Sequence, residues 1–417
     1  MNKPWYQRLD YIVIFAWASL VALGLTAIYS STHGPASIYL LDTVQQNFTR
    51  QLQWVVLSVI AICVLLAIPS RVYQSGAYAA YGISLLMLIG ALMFGREING
   101  AKSWLPIGPF SLQVSEVAKV GTVLALAQLY TQQRNETNKL KSALIAAGLT
   151  LVPAALIVLQ NDTGTALVFL ALLPVILFWS GIPLPTVGLI VSPAVAGYLA
   201  IVYWPAAIVY TVLVAGLLGW AARSKIMGLL GLGLNGATVA VAVVALTKIL
   251  QPHQAARIAS FVDPEKYRLT SGFHIIQSRA AIGSGGLTGK GFMNGTQTQM
   301  AFVPEQSTDF IFSVIGEEFG FIGSISVLIL FAFLIIRLIS DGVSTRHPFP
   351  SMFAAGVTGI FFAHVLINIG MATGVMPVIG IPLPFMSYGG SALLANSLLI
   401  GVALNLHMRR DEFPRYG

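Results

Sequence analysis

The chain has 417 residues, 9% charged and 56% hydrophobic, with a mean hydropathy of +0.80 and a formal net charge of +8. Runs of ~20 apolar residues recur along its length, each long enough to cross a bilayer as a helix. This excludes a soluble globular protein and the short alternating segments of a transmembrane barrel, and leaves an all-α polytopic membrane protein, one membrane domain over 1–417.

The N-terminal MNKPWYQR leads into an apolar run with no small-residue cleavage site, which reads as an uncleaved first span. About twelve spans are expected, near 10–30, 50–68, 74–95, 112–131, 142–160, 165–180, 184–204, 206–222, 226–249, 308–338, 352–373 and 391–407. GIPLP at 181–185 suits a turn between spans. Pro193 and Pro205 interrupt 184–225, which reads as a hairpin or a distorted segment. A large loop, 250–307, divides the first nine spans from the last three.

With the N-terminus in the cytoplasm, the inward ends hold Lys3, Arg8, Arg71, Arg134, Lys139, Lys141, Arg223, Lys225, Arg337, Arg346, Arg409, Arg410 and Arg415. The short outward loops hold only Arg50, Arg96 and Lys102, as the positive-inside rule requires. Both termini are then cytoplasmic and 250–307 is extracytoplasmic, yet that loop and its edge carry Lys248, Arg257, Lys266, Arg268, Arg279 and Lys290. No basic soluble domain exists to bind nucleic acid. The single cysteine, Cys63, excludes an intramolecular disulfide and a thiolate metal cluster.

Charge within the spans is scarce. Arg50 enters the second span and can snorkel to headgroups. Glu116 and Lys119 are three apart on the fourth span, acid first, and share a helix face. Such a pair is expensive in a membrane unless it is structural or lines a wet groove. Asp162 is placed to cap the sixth span. His364 and Asn368, one turn apart, read as polar glue between helices. Segment 378–397, with Pro382, Pro384, Gly389 and Gly390, reads as irregular backbone offering the hydroxyls of Ser387, Tyr388 and Ser391.

In the large loop, SFVDPEKY at 260–267 places Asp263 before a proline, where its side chain can bond nearby N–H groups in a solvated turn. Residues 273–282 suit an amphipathic helix on the membrane surface. GSGGLTGKG at 283–291 fails as a Walker A loop, because Ser284 and Gly291 stand at two required positions. It remains either a hinge or a glycine segment whose N–H groups approach an anion. Helix-end solvation explains Asp309 but explains Glu317 and Glu318 less well, and Glu318 could pair with a base on another span.

GAKSWLPIGPFSLQVSEVAK (100–119), QNDTGTA (160–166), SFVDPEKY, GFHIIQSRAAIGSGGLTGKGF (272–292), GTQTQMAFVPEQSTDFIFSVIGEEFGFIG (295–323) and NIGMATGVMPVIGIPLPFMSYGGSALL (368–394) together resemble the SEDS family (shape, elongation, division and sporulation), most closely its RodA branch. They cover most of the chain in family order, and GTQ at 295–297 points to that branch. The resemblance implies a SEDS fold and a peptidoglycan glycosyltransferase of the bacterial inner membrane that serves cell elongation and rod shape. Such enzymes polymerise lipid II through β-1,4 bonds outside the membrane and release undecaprenyl diphosphate. Implied partners are lipid II, the undecaprenyl-diphosphate-linked glycan strand, a class B penicillin-binding protein and other elongation-complex membrane proteins.

The resemblance places the family's essential acid at Asp263, its paired acid and lysine at Glu116 and Lys119, its second-span base at Arg50, a further acid at Asp162 and its SYGGS segment at 387–391. Ser103 stands where the family has arginine, with Lys102 beside it as a substitute phosphate contact. The family has ten spans against twelve expected here, and the surplus falls at 184–225, where an added hairpin keeps both termini on one side.

Inverting glycosyl transfer needs a base for the acceptor 4-OH and positive charge for the departing diphosphate. Asp263 is the expected base and a contact for a divalent cation, Mg or Mn. Arg50, Lys102, Lys119, Lys266 and Arg268 are the expected protein charges. Glu116, Asp162 and Ser387 complete the expected substrate site. A lipid-linked precursor flippase and a noncatalytic scaffold for the penicillin-binding protein remain alternatives at this stage.

Overall fold

The computed structural model describes residues 5–34, 42–98, 100–108, 110–133, 139–244, 259–269, 272–300 and 302–413. Lys3, Arg134, Lys248, Arg257 and Arg415, and the start of the large loop at 245–258, lie outside the described residues.

The helices, in chain order, are α1 (Tyr11–His33), α2 (Asp42–Gln45), α3 (Asn47–Ala67), α4 (Ser70–Phe94), α5 (Val114–Gln132), α6 (Lys139–Leu159), α7 (Thr163–Trp179), α8 (Leu184–Val202), α9 (Trp204–Ala221), α10 (Lys225–Val244), α11 (Phe273–Ser284), α12 (Thr296–Gln299), α13 (Ile311–Glu318), α14 (Gly320–Ser344), α15 (Pro348–Thr373) and α16 (Gly390–Met408). Among the described residues, ten helices are long and apolar enough to cross a membrane: α1, α3, α4, α6, α8, α9, α10, α14, α15 and α16. The protein is a multi-pass membrane protein. The remaining two expected spans coincide with α5, which carries the Glu116–Lys119 pair, and α7, which is one residue short of the length of α9, the shortest of the ten.

Three details differ from the sequence expectation. Pro193 lies inside α8 without breaking it, and the break falls at Tyr203, after which Pro205 occupies the first turn of α9. Proline is tolerated within membrane helices because neighbouring groups re-satisfy the freed carbonyl. A three-stranded antiparallel sheet, β1 (Arg96–Ile98), β2 (Ala101–Ile107) and β3 (Phe110–Gln113), joins α4 to α5, where no strand was expected. The span expected at 308–338 is two helices, α13 and α14, which meet at Phe319 and Gly320. Gly320 has φ +62°, and a Cβ there would sit 2.3 Å from the Gly289 nitrogen. Only glycine turns the chain at that point while admitting the neighbouring loop.

The chain forms two compact units, 1–176 with 277–417, and 177–276. In the larger unit α15 and α16 are buried over most of their length. α5 packs against α4, α15 and α16, α16 packs on α3, and α14 packs on α1 and α15. The smaller unit packs α8, α9 and α10 through small residues. A Cβ on Gly228 would meet the Ala215 carbonyl at 3.1 Å, and buried Asn235 donates to Ser192 Oγ at 3.0 Å. Cys63 is exposed on α3.

Candidate active site

β3 delivers the chain straight into α5, so Glu116 lies in the first turn of that helix and Lys119 one turn on. Both are buried, with Lys119 Nζ 2.8 Å from Glu116 Oε2. Lys119 Nζ also lies 2.9 Å from Nε2 of His364 on α15. His364 Nδ1 is 3.1 Å from the Pro382 carbonyl. An ammonium can only donate and a carbonyl can only accept, which fixes the tautomer: Nδ1 carries the proton and Nε2 accepts from Lys119. A line of four groups therefore runs from carboxylate to ammonium to neutral imidazole to backbone.

The irregular segment between α15 and α16 is held from several sides. Asn368 Nδ2 donates to the Ile381 carbonyl at 2.7 Å and the Asp309 carbonyl at 2.8 Å. Ser387 closes the segment on itself: its hydroxyl accepts from Leu383 N at 2.8 Å, and its own N–H returns to Leu383 O at 3.0 Å. Gln51 on α3 donates to Ser387 O at 3.2 Å and accepts from Gly389 N at 3.2 Å. Backbone polar groups outside helices persist at membrane depth only when satisfied in this way.

Asp162 caps α7, accepting from Thr165 N at 3.1 Å and Thr165 Oγ1 at 3.0 Å. Its Oδ2 also accepts from Gln113 Nε2 at 3.0 Å and Ser115 Oγ at 3.3 Å, which ties the start of α7 to the start of α5. Lys102 on β2 donates its backbone N–H to Gln160 O at 2.9 Å, and its Nζ lies 3.4 Å from Met93 O. Arg50 is exposed and donates to Gln46 Oε1 at 2.9 Å.

A second buried acid organises the GTQTQ segment. Glu317 Oε1 accepts from Lys290 Nζ at 2.6 Å, Thr296 N at 2.8 Å and Gln297 N at 2.9 Å. Its Oε2 accepts from Thr298 N and Thr298 Oγ1, each at 2.8 Å. Burial pushes this carboxyl up, but the Lys290 ammonium and the N–H groups of Gln297 and Thr298 outweigh it and hold it at about 2. Among the described residues Glu318 pairs with no base: it accepts from Ser30 Oγ and from Gln299 Nε2, the latter at 2.9 Å. Burial pushes its carboxyl above the usual range.

The glycine segment serves this junction. Lys290 N and Gly291 N donate to the carbonyls of Glu317 and Glu318 at 3.0 and 2.9 Å, and a Cβ on Gly285 would meet Gly316 O at 2.0 Å. These N–H groups are spent on backbone, so the segment is a clasp rather than an anion cradle. α11 likewise differs from a surface helix. Its Ile275, Ser278 and Ala281 are buried, and Ser278 donates to Ala372 O at 2.6 Å.

In the smaller unit, a helical turn at 259–262 packs Phe261 against Tyr198 of α8, with ring centroids 6.1 Å apart. Asp263 follows and is exposed. Its N–H donates to Ala259 O at 3.0 Å, and its Oδ1 accepts from Lys266 N at 3.2 Å. The turn is closed by Tyr267 N to Pro264 O at 3.1 Å and Gly272 N to Tyr267 O at 3.1 Å. Lys266 Nζ stands 6.0 Å from the Tyr267 ring centroid, and Arg268 is exposed one residue on. One short turn thus presents two exposed carboxylates, Asp263 and Glu265, with two cations, and Asp263 Oδ1 is bonded within the turn.

Among the described residues, one cluster of three acids and histidines has its ligand atoms within metal-binding reach: Asp10, Asp341 and His407. Arg337 fills it, with Nε 2.5 Å from Asp10 Oδ2. Among the described residues, Asp263 belongs to no such cluster.

The sequence model of the FtsW/RodA/SpoVE cell cycle proteins matches residues 10–216 and 202–412. The chain is a member of the FtsW/RodA/SpoVE family. A relative from Treponema pallidum (strain Nichols), named peptidoglycan glycosyltransferase RodA, is 32% identical over 96% of this chain and 98% of its own. Escherichia coli K12 peptidoglycan glycosyltransferase MrdB is 32% identical over 88% of this chain and 87% of its own. Among solved structures, a chain from a study of how a peptidoglycan synthase complex coordinates polymerization and crosslinking superposes with TM-score 0.72 at 30% identity, covering 97% of this chain and 99% of its own. Thermus thermophilus rod shape determining protein RodA superposes with TM-score 0.63 at 29% identity, covering 96% of this chain and 97% of its own.

For this FtsW/RodA/SpoVE protein the structure joins Glu116 to Lys119, Asp162 to the start of α5, Ser387 to Gln51, and Asp263 to Lys266 within one turn. Two residues took on more than the sequence suggested. His364 reads as helix glue until its partner is known to be Lys119. Glu317 reads as an awkward buried acid until the GTQTQ amides fold around it. Their shared signal was an ionisable side chain in an apolar run.

Proposed function

We propose that this peptidoglycan glycosyltransferase polymerises lipid II, with Asp263 as the general base. Asp263 takes the proton from the acceptor sugar 4-OH as that oxygen attacks the anomeric carbon of the donor. The C1–O bond to phosphate breaks, undecaprenyl diphosphate leaves with the bonding electrons, and the anomeric centre inverts to β. A diphosphate needs no strong acid to leave; it needs positive charge.

The observation that carries the reading is the 263–268 turn, where exposed Asp263 shares one short stretch with Glu265, Lys266 and Arg268 in an otherwise charge-poor membrane protein. Those two cations are first in line for the diphosphate, with exposed Arg50 and with Lys102 as further contacts. Lys119 is buried and paired, so it acts with Glu116 inside the protein. Asp162 holds the start of α7, and Ser387 closes the segment between α15 and α16. Asp263 is also the residue that would hold a divalent cation, which would add positive charge for the departing diphosphate.

The basic residues Arg8, Arg71, Arg337, Arg346, Arg409 and Arg410 support an inner-membrane topology with both termini cytoplasmic and the Asp263 loop extracytoplasmic. The strand product needs a crosslinking transpeptidase, which fits a class B penicillin-binding protein and other elongation-complex membrane proteins as partners. The test is polymerisation of lipid II by the purified protein, alone and with that partner, beside Asp263→Ala. We expect polymer from wild type and none from the folded variant. Normal polymer from Asp263→Ala would overturn the assignment.

A further inference from the structure

We propose that His364 is a positioning residue that locks the Lys119 ammonium to the irregular segment between α15 and α16. The inference rests on the glycosyltransferase reading above. Lys119 and His364 come from different helices, α5 and α15, and both side chains are buried. The imidazole touches both parties, Lys119 Nζ at 2.9 Å and Pro382 O at 3.1 Å. Asn368, one turn along α15, takes the adjacent carbonyl, Ile381 O, at 2.7 Å, and Asp309 O at 2.8 Å. Helix α15 therefore grips two consecutive carbonyls of the segment with two side chains, and one of them also accepts from Lys119.

A lysine tethered only to Glu116 can swing its long stem through several rotamers. A second acceptor on a different helix removes that freedom and decides where the third N–H points. A shift of the 379–383 backbone moves the imidazole, and through it the ammonium. Apolar packing in place of His364 would fill the space without carrying this link. Glutamine has the reach to keep it, with Oε1 accepting from Lys119 and Nε2 donating towards Pro382.

The experiment compares His364→Leu and His364→Gln with wild type, each checked for a monodisperse, melting species in detergent. Two measurements are made: kcat and KM for lipid II, and hydrogen exchange at Leu383, Ser387, Tyr388 and Gly389. We expect His364→Leu to lose about tenfold in kcat with KM within about twofold, and to exchange those amides about tenfold faster. His364→Gln should recover most of both. Wild-type kcat and exchange in His364→Leu would overturn the proposal, as would equal losses in the Leu and Gln variants. Exchange does not depend on catalysis: if wild type made no polymer, the glycosyltransferase reading would fall and the exchange result would still judge the link.

Discussion

Lys290 Nζ lies 2.6 Å from Oε1 of Glu317, and that contact fastens a loop to α13, the short helix that precedes the membrane helix α14. Lys290 belongs to the glycine segment and Glu317 to α13, just before the chain turns into α14. The same carboxylate receives the first amides of α12, where the positive end of the helix favours an anion. Removing the charge strands several donors at once.

Glu317→Gln is therefore expected to lower the melting temperature at pH 7 by several degrees, on the order of 3 kcal/mol of stability. The sign with pH follows from the carboxyl, which stands at about 2 against an ordinary 4.5. A depressed acid contributes its full stability above its unfolded value and loses it as pH falls through the folded one. The gap between wild type and Glu317→Gln should shrink by roughly half or more between pH 7 and pH 3. A gap that stays constant over that range would show that the charge is not what holds the loop.

The Glu116–Lys119 pair makes a different prediction, because both partners are buried. Lys119→Met leaves a buried carboxylate with no cation, which should cost about 3–5 kcal/mol. Adding Glu116→Gln removes that charge and should return most of the stability, since an uncharged pair of similar volume packs well. Activity should stay low in both variants. Thermal melts of the single and double variants decide it, and additive losses would mean that the two residues do not act as a pair.

Much of this architecture was legible in the sequence, and the failures are instructive. All twelve expected spans coincide with helices because twenty apolar residues leave the backbone no other way to satisfy itself. The break at Phe319–Gly320 was hidden, because the apolar residues on either side of Glu317 and Glu318 read as one span, and only the packing of Gly285 and Gly289 reveals the close approach. The strands at 96–113 were hidden by their brevity. At the candidate site, Glu116 and Lys119 could be paired from their spacing alone, as i,i+3 residues. His364 could not, because its partner lies 245 residues away. Asp162 and Asp263 cap as their local motifs suggested, since an Asx cap is a local interaction.

Neighbouring glycines of the clasp should separate cleanly. A Cβ on Gly285 would sit 2.0 Å from Gly316 O, whereas one on Gly283 meets nothing within 4 Å. Gly283→Ala, at the end of α11, should be neutral or stabilise by about 0.5–1 kcal/mol, as alanine does in helices. Gly285→Ala must push two backbones apart and should abolish a stable fold or lower the melting temperature strongly. Expression and melting of the two variants test the packing, and a tolerated Gly285→Ala would refute the close approach.

The last prediction concerns the charges around Asp263. The turn is exposed, and Asp263 contributes one cap bond, so Asp263→Ala should cost no more than about 1 kcal/mol of stability. Loss of a general base should lower the rate by about 100-fold or more, so stability and activity should part company here. Lys266→Ala and Arg268→Ala remove charge but not the base. Each is expected to slow polymerisation by about tenfold, and the wild-type rate should fall with added salt, because exposed cations are screened. In the double variant that salt dependence should flatten. Rates that remain salt-dependent and unchanged in Lys266→Ala and Arg268→Ala would move the diphosphate contact to other cations, of which Arg50 and Lys102 come next.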